Sequence, residues 1–271
     1  MVATGAIASE RRPSAFARQV LMTRLVIAAA LLALWEGMAR SGLLYEGVVP
    51  KLAVIARGLA EMLATAAFYA NLQTTAGEVA TALAVGGAAG LLAGLALGAN
   101  RFLERAFEPY LYYLGPTPKI IFFPIMIMWF GTGAGSKVAM GAVSCFFPIA
   151  LGVAAGIRQI DRVLIRVGRS FRASAVQMAL KIYLPAVREP VVTSFRLGLG
   201  VAIIGVLLAE TKLSNRGLGF MVIDAYARFD MPAMYALIIV IFVVAVALNA
   251  GLSRLARERG GSQTVGALPA K

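Results

Sequence analysis

The sequence predicts an all-α, polytopic membrane protein with about six transmembrane helices. Of its 271 residues, 60% are hydrophobic and 14% charged, whereas soluble domains usually carry about 25% charged residues. The apolar residues gather in stretches long enough to cross a bilayer, which takes about 20 residues of helix. The basic residues that give the net charge of +13 lie between these stretches. We therefore read the charge as a sign of topology and expect contact with membrane lipid and no nucleic-acid partner.

The composition also argues against an enzyme. The chain has no histidine, which excludes imidazole metal sites and histidine acid–base catalysis, and we predict no metal site and no catalytic residue. The single cysteine, Cys145, lies in an apolar run and is expected to be a core residue. A membrane enzyme is disfavoured further because no nucleophile–base pair is visible.

We divide the chain into a tail at 1–20, a transmembrane domain at 21–253 and a second tail at 254–271. The first span is predicted at 21–39. Five further apolar stretches follow it, which disfavours a secretory signal. The next stretch, 52–63, has apolar residues at helical spacing and predicts an amphipathic helix on the outer surface.

The second predicted span, 74–98, carries a glycine at every fourth position on one stripe: Gly86, Gly90, Gly94 and Gly98. Such a stripe allows another helix backbone to approach closely. Helix packing within one chain is the simpler interpretation, and a contact between subunits is the alternative.

The third predicted span, 106–130, is interrupted by Gly115, Pro116, Pro118 and Pro124. Irregular backbone at membrane depth is tolerated only against protein or a water-filled cavity, so this span is expected to line a pathway. The predicted pathway residues are Lys119, Trp129, Phe130, Ser144, Arg196 and Glu210.

Core packing remains the alternative for Trp129, Phe130 and Ser144. For Arg196 the alternative is pairing with the end of another helix.

A run at 131–137, GTGAGSK, briefly resembles a nucleotide-binding loop. It fails because no glycine directly precedes Lys137 and Val138 follows where serine or threonine is required. We therefore predict no cofactor in this chain and no site for ATP.

The fourth and fifth spans, 138–156 and 191–208, flank a polar loop at 157–190 with seven basic and two acidic residues. Asp161 is the predicted N-cap of a first short helix, whose basic face is Arg162, Arg166 and Arg169. The opposite, apolar face is expected to turn toward the membrane side of the protein. That apolar face consists of Val163, Leu164, Val167 and Phe171.

A second short helix is predicted from Ser174, because Gln177 completes the spacing of a capping box. Pro185 is expected to end it. An outer loop at 211–232 and a sixth span at 233–252 complete the chain. The inner side carries 17 basic residues against 7 on the outer side, which places both termini and the 157–190 loop in the cytoplasm.

The end of this loop resembles the signature of binding-protein-dependent ABC importer permeases: Glu-Ala-Ala, three residues, Gly, nine residues, Ile-x-Leu-Pro. Ile182, Leu184 and Pro185 match its end; Arg172 stands at the glycine position, and 166–168 stand at the Glu-Ala-Ala positions as Arg, Val and Gly. The runs PTPKIIFFPIMIMWFGTGAGSK, FFPIALGVAAGIRQID, RLGLGVAIIGVLLAE and NRGLGFMVIDA are similar to the nitrate, sulfonate and taurine branch.

The resemblance implies a permease of the bacterial inner membrane that imports a small, anionic solute. It implies a homodimer of permease copies, two ATPase subunits that carry ATP and Mg²⁺, and a periplasmic solute-binding protein. The 157–190 loop would act as the coupling helix against the ATPase. The residues assigned to this coupling are Arg162, Arg166, Arg169, Arg172, Ser174, Gln177, Leu184 and Pro185.

Three questions stay open at this point. The basic loop also fits binding to anionic lipid. An ion-gradient-driven secondary carrier is the alternative function, disfavoured because Glu36, Glu78 and Glu210 all map near the outer surface rather than the midplane. At Arg172, either the turn needs a positive φ that strains arginine, or it has another shape and the guanidinium contacts a partner.

Overall fold

The computed structural model describes residues 15–42 and 47–260, and all regular secondary structure within them is helical. Five helices are long and apolar enough to cross a membrane. A sharply bent pair of shorter helices supplies a sixth crossing if it counts as one span, in agreement with the predicted fold class. The five long helices are α1 (Ala15–Arg40), α3 (Ala66–Ala99), α6 (Ala134–Arg158), α10 (Arg188–Glu210) and α12 (Met231–Gly260).

The centre of the bundle is the contact of α3 with α6. The four stripe glycines all face α6 of the same chain, and a methyl group added at Gly94 would lie 2.6 Å from the Ala150 carbonyl oxygen. At Gly98 the same methyl would lie 2.9 Å from the Ala154 carbonyl oxygen. Any larger residue would push the two backbones apart, so the stripe serves packing within one chain. Cys145 is fully buried in this core, as expected.

The end of the bundle opposite the 157–190 loop, predicted to be the outer end, is closed by two short helices. The predicted amphipathic helix is α2 (Leu52–Leu63), and its buried residues Ile55 and Met62 pack into one apolar cluster with α11 (Leu218–Ala227) and α12. The prediction of an outer loop at 211–232 is therefore incomplete, because ten of its residues form α11. Glycine and polar residues flank this helix and concealed its apolar pattern.

The predicted third span is broken. It consists of α4 (Arg101–Leu114), a 3₁₀ turn (Lys119–Phe122) and α5 (Phe123–Phe130), and the two halves meet at 93°. The interruption predicted within 106–130 is confirmed, and the helix before it begins at Arg101 rather than at residue 106. The break falls at Gly115 and the two prolines that follow, because proline removes an amide donor and disfavours helical backbone before it.

The inner loop contains α7 (Arg162–Ser170), α8 (Ala175–Met178), a π-helical turn (Ala179–Tyr183) and α9 (Leu184–Ala186). Its predicted caps are confirmed. Asp161 accepts a 2.8 Å hydrogen bond from the Val163 amide, and Ser174 and Gln177 form the reciprocal capping box.

Pro185 does not end the second short helix. Helical backbone continues to Ala186, and the proline stands in the first turn of α9, directly after the π-helical turn. The wider π turn accommodates a residue that lacks an amide hydrogen, which explains why the predicted stop is wrong.

The ends of the transmembrane domain also differ from the predicted boundaries. Helix α1 begins inside the predicted tail 1–20, and α12 extends beyond residue 253 to Gly260. Residues 1–14 and 261–271 lie outside the described residues, so the predicted tails remain predictions there.

Candidate functional site

The apolar side of α7 is exposed. Helix α7 packs against the rest of the chain through Ile165 and Gly168, and the expectation that its apolar side faces the membrane stays a prediction. A methyl group at Gly168 would lie 2.6 Å from the Met178 sulfur, so a larger residue there would require the Met178 side chain to shift. The exposed apolar residues are Val163, Leu164, Val167 and Phe171, the last of them 83% exposed.

Three arginines of the same segment are exposed as well: Arg166, Arg169 and Arg172. Arg162 is the first residue of α7. We call the four apolar residues and these three arginines the loop surface. Apolar and basic side chains are thus exposed on opposite sides of one short helix, which projects from the bundle.

Arg172 has the left-handed backbone that the family signature assigns to glycine. Its φ is +53°, and its amide donates a 2.9 Å hydrogen bond to the Arg169 carbonyl oxygen. The first of the two hypotheses is therefore confirmed, and a turn of another shape is wrong. A non-glycine residue in this conformation costs on the order of 1 kcal/mol.

Arg158 anchors the start of the loop to the broken span. Its two terminal nitrogens each bind one oxygen of Glu108 at 2.8 Å, and one of them also lies 3.4 Å from Glu104. A bidentate pair fixes orientation as well as distance. The sequence signal was the pair of glutamates four residues apart on α4, which the sequence analysis did not use.

The predicted pathway residues of the broken span lie at its bend and at its C-terminal end. Trp129, 73% exposed, and Phe130, also exposed, end α5. Lys119 begins the 3₁₀ turn, where its ammonium donates to the Gly115 carbonyl oxygen and lies 5.0 Å from the centre of the Phe147 ring. Lysine thus ties the bend to α6.

The other two pathway candidates within helices have partners inside the chain. The buried Ser144 hydroxyl donates a 2.7 Å hydrogen bond to the Met140 carbonyl oxygen of its own helix. Arg196 donates a 3.2 Å hydrogen bond to the Asn249 side-chain oxygen on α12, which is a structural pairing with another helix. A role of either residue in a pathway stays a prediction.

Glu210, the last predicted pathway residue, is only 1% exposed. One carboxylate oxygen accepts a 2.7 Å hydrogen bond from the Thr75 hydroxyl, and the other accepts a 2.6 Å hydrogen bond from the Gly219 amide. The carboxylate therefore sits at the N-terminus of α11, where the helix dipole favours negative charge.

Two further side chains of α3 complete this arrangement. The Thr75 hydroxyl accepts a 2.8 Å hydrogen bond from the Leu218 amide, and the Asn71 side-chain oxygen accepts a 2.7 Å hydrogen bond from the Gly217 amide. Three consecutive amides of α11 are thus bound by α3 and α10. We call Asn71, Thr75, Glu210 and these amides the outer clamp, which the sequence analysis missed.

A bundle of membrane-spanning helices with an exposed basic inner loop and a closed outer end is the architecture of a membrane transport permease. The chain belongs to the family described as the inner membrane component of binding-protein-dependent transport systems, which it matches over residues 86–258. The resemblance seen in the signature loop is confirmed.

Individual proteins similar to this chain are also named as transport permeases. SsuC of Bacillus subtilis (strain 168), named for aliphatic sulfonates transport, is 29% identical over 82% of this chain and 81% of that protein. The taurine transport system permease protein TauC of Escherichia coli (strain K12) is 32% identical over 62% of each chain. Among solved structures, the inward-facing MetNI methionine ABC transporter aligns with a TM-score of 0.55 and 18% identity, covering 79% of this chain and 99% of that one; this likeness concerns the fold.

The chain is therefore a multi-pass permease subunit of an ABC importer. It is a transport subunit and not an enzyme, as predicted. Membership of the family implies an ATPase and a solute-binding protein as partners.

Proposed function

We propose that this chain forms half of the solute pathway of an importer in the bacterial inner membrane, with both termini and the loop surface in the cytoplasm. Two copies pair, and each loop surface docks on one of two ATPase subunits that bind ATP and Mg²⁺. A periplasmic solute-binding protein delivers the solute at the outer end. The observation that carries the proposal is the exposure of the loop surface.

The loop surface has the composition of a protein-docking segment. It presents apolar side chains, with Phe171 the most exposed of them, beside three exposed arginines. A projecting segment of this kind fits a groove that contacts it on several sides, and arginines suit acidic groove walls.

We further propose that the solute is a small anion with a sulfonate-like group. The two relatives above are named for aliphatic sulfonates and taurine, which both carry such a group. Lys119 and Arg196 contribute positive potential within the membrane-spanning part of this chain, which favours anions. Measuring the binding of taurine and related sulfonates to the solute-binding protein that co-purifies with the complex would identify the solute.

A substitution in the loop surface tests the coupling. We expect Phe171→Ala to weaken ATPase binding by about 5-fold to 150-fold, because burial of an aromatic anchor contributes about 1–3 kcal/mol to an interface. Binding is measured with the purified ATPase and the full-length permease in lipid nanodiscs. Tyr226→Ala is the matched control, since Tyr226 is an exposed aromatic residue on the outer helix α11.

Unchanged ATPase affinity of Phe171→Ala, together with weaker binding to anionic vesicles, would favour the lipid interpretation. The energy source is tested in proteoliposomes containing the whole complex. Uptake that needs ATP supports the proposal, whereas uptake that persists without nucleotide and collapses with an ionophore would establish an ion-driven carrier.

A further inference from the structure

A second carboxyl group is buried beside the outer clamp. Glu78 of α3 is 7% exposed and lies one helical turn after Thr75, whose hydroxyl binds the Glu210 carboxylate. Its Oε2 atom is buried and has no hydrogen-bond partner among the described residues. An unpaired buried carboxyl oxygen is costly, so its surroundings require an explanation.

The nearest cation does not pair with it directly. Lys137 of α6 is also buried, and its ammonium donates to the carbonyl oxygens of Thr132 and, at 3.0 Å, Gly133. It lies close enough to act electrostatically on both glutamates. The charged groups here are thus Glu78 on α3, Lys137 on α6 and Glu210 on α10, while α11 contributes backbone amides.

Charge balance indicates which of the two glutamates is ionised and which can hold a proton. With both carboxylates and the ammonium ionised, the buried cluster would hold one uncompensated negative charge, which is strongly unfavourable away from water. Both oxygens of Glu210 already accept hydrogen bonds, from Thr75 and Gly219, and it faces the positive end of α11. Glu210 is therefore the group that stays ionised, and Glu78 is the group with room for a proton.

We propose that Glu78 and Glu210 form a proton-binding site in which Glu78 carries the proton and donates a hydrogen bond to Glu210. The cluster then has no net charge, and the outer clamp holds α11 with an ionised acceptor. Two carboxyl groups that share one proton are a known solution when like charges are buried together. This proton is structural and is not relayed across the membrane, because the cluster lies at the outer ends of the helices.

A metal cation fits the same site poorly. Hard cations such as Ca²⁺ bind six to eight oxygens, whereas only one oxygen of this cluster has no partner. The Lys137 ammonium already supplies positive charge in the same place. Protonation of Glu78 satisfies both the orphan oxygen and the charge balance.

Infrared spectroscopy of the full-length permease in nanodiscs tests the proposal. At neutral pH we expect a carbonyl stretch of a protonated carboxylic acid that shifts to lower frequency in D₂O. Glu78→Gln should remove this band, and Glu61→Gln, at an exposed position of α2, should retain it. Absence of the band in the unsubstituted protein, or its survival in Glu78→Gln, would overturn the assignment.

Folding gives a second test. Glutamine imitates a protonated glutamate, so Glu78→Gln should fold and keep a melting temperature close to that of the parent chain. Misfolding of this variant would contradict the proposal. A melting temperature that rises specifically with Na⁺ and loses this response in Glu78→Gln would instead establish a metal-cation site.

Discussion

Each end of the bundle contains a turn with positive φ, but one turn has an arginine at that position and the other has a glycine. The inner loop and the outer clamp each turn at a residue with positive φ, Arg172 at +53° and Gly217 at +100°. The inner turn is exposed, so an arginine is tolerated at a modest cost in backbone energy. The outer turn is enclosed, because a methyl group on Gly217 would overlap the Glu210 carboxylate. Packing, and not φ alone, decides whether glycine is required.

The largest expected effect is that of Gly217→Ala. The added methyl would collide with Glu210 and would occupy a left-handed conformation, so we expect a loss of about 2–5 kcal/mol of stability. Thermal unfolding in detergent measures it. Gly200→Ala in α10 is the control, because an added methyl there meets nothing within 4 Å, and it should be neutral or stabilising. Equal effects of the two substitutions would contradict the enclosed outer turn.

A smaller effect is expected when the clamp loses one hydroxyl. Thr75→Val keeps the shape of the side chain but leaves the Leu218 amide and one Glu210 oxygen without a partner, which costs about 1–3 kcal/mol. Thr81→Val provides the control in the same helix, since the exposed Thr81 hydroxyl binds only its own backbone. Hydrogen exchange should show α11 amides exchanging faster in the first variant alone; equal protection in both would argue against the clamp.

The smallest effect, with the opposite sign, is predicted at the inner turn. Arg172→Gly should stabilise the isolated permease by about 1 kcal/mol, because glycine adopts this backbone without strain. Arg169→Gly, inside α7, should destabilise it by about the same amount. Unfolding of the two variants side by side measures the difference. A parallel loss of ATPase affinity in Arg172→Gly would show that the guanidinium also contacts the partner, whereas destabilisation of the free chain would refute strain at this turn.

Local sequence patterns predicted the helix caps of the inner loop. Asp161, Ser174 and Gln177 are caps whose chemistry acts over two or three residues, and their predictions are confirmed. Helical periodicity separated the two faces of α7 correctly, but periodicity cannot say which direction packs. That direction depends on Gly168 meeting Met178 across the loop.

Local sequence patterns could not predict the outer clamp. The clamp joins Asn71 to Gly217 and Thr75 to Leu218, pairs separated by 146 and 143 residues. Neither segment alone contains a pattern that identifies the other as its partner. The prolines of the broken span likewise predicted irregular backbone, while the 93° angle follows from packing around them.

Helix α6 is the physical bridge between these two ends. Its 25 residues span roughly 37 Å, with Lys137 near one end, Arg158 at the other and Pro148 in the interior. A displacement of the Arg158 end reaches the glutamates beside Lys137 only through that proline, where a helix bends most easily. The helix therefore joins the two ends of the bundle mechanically and leaves one point at which their movements can differ.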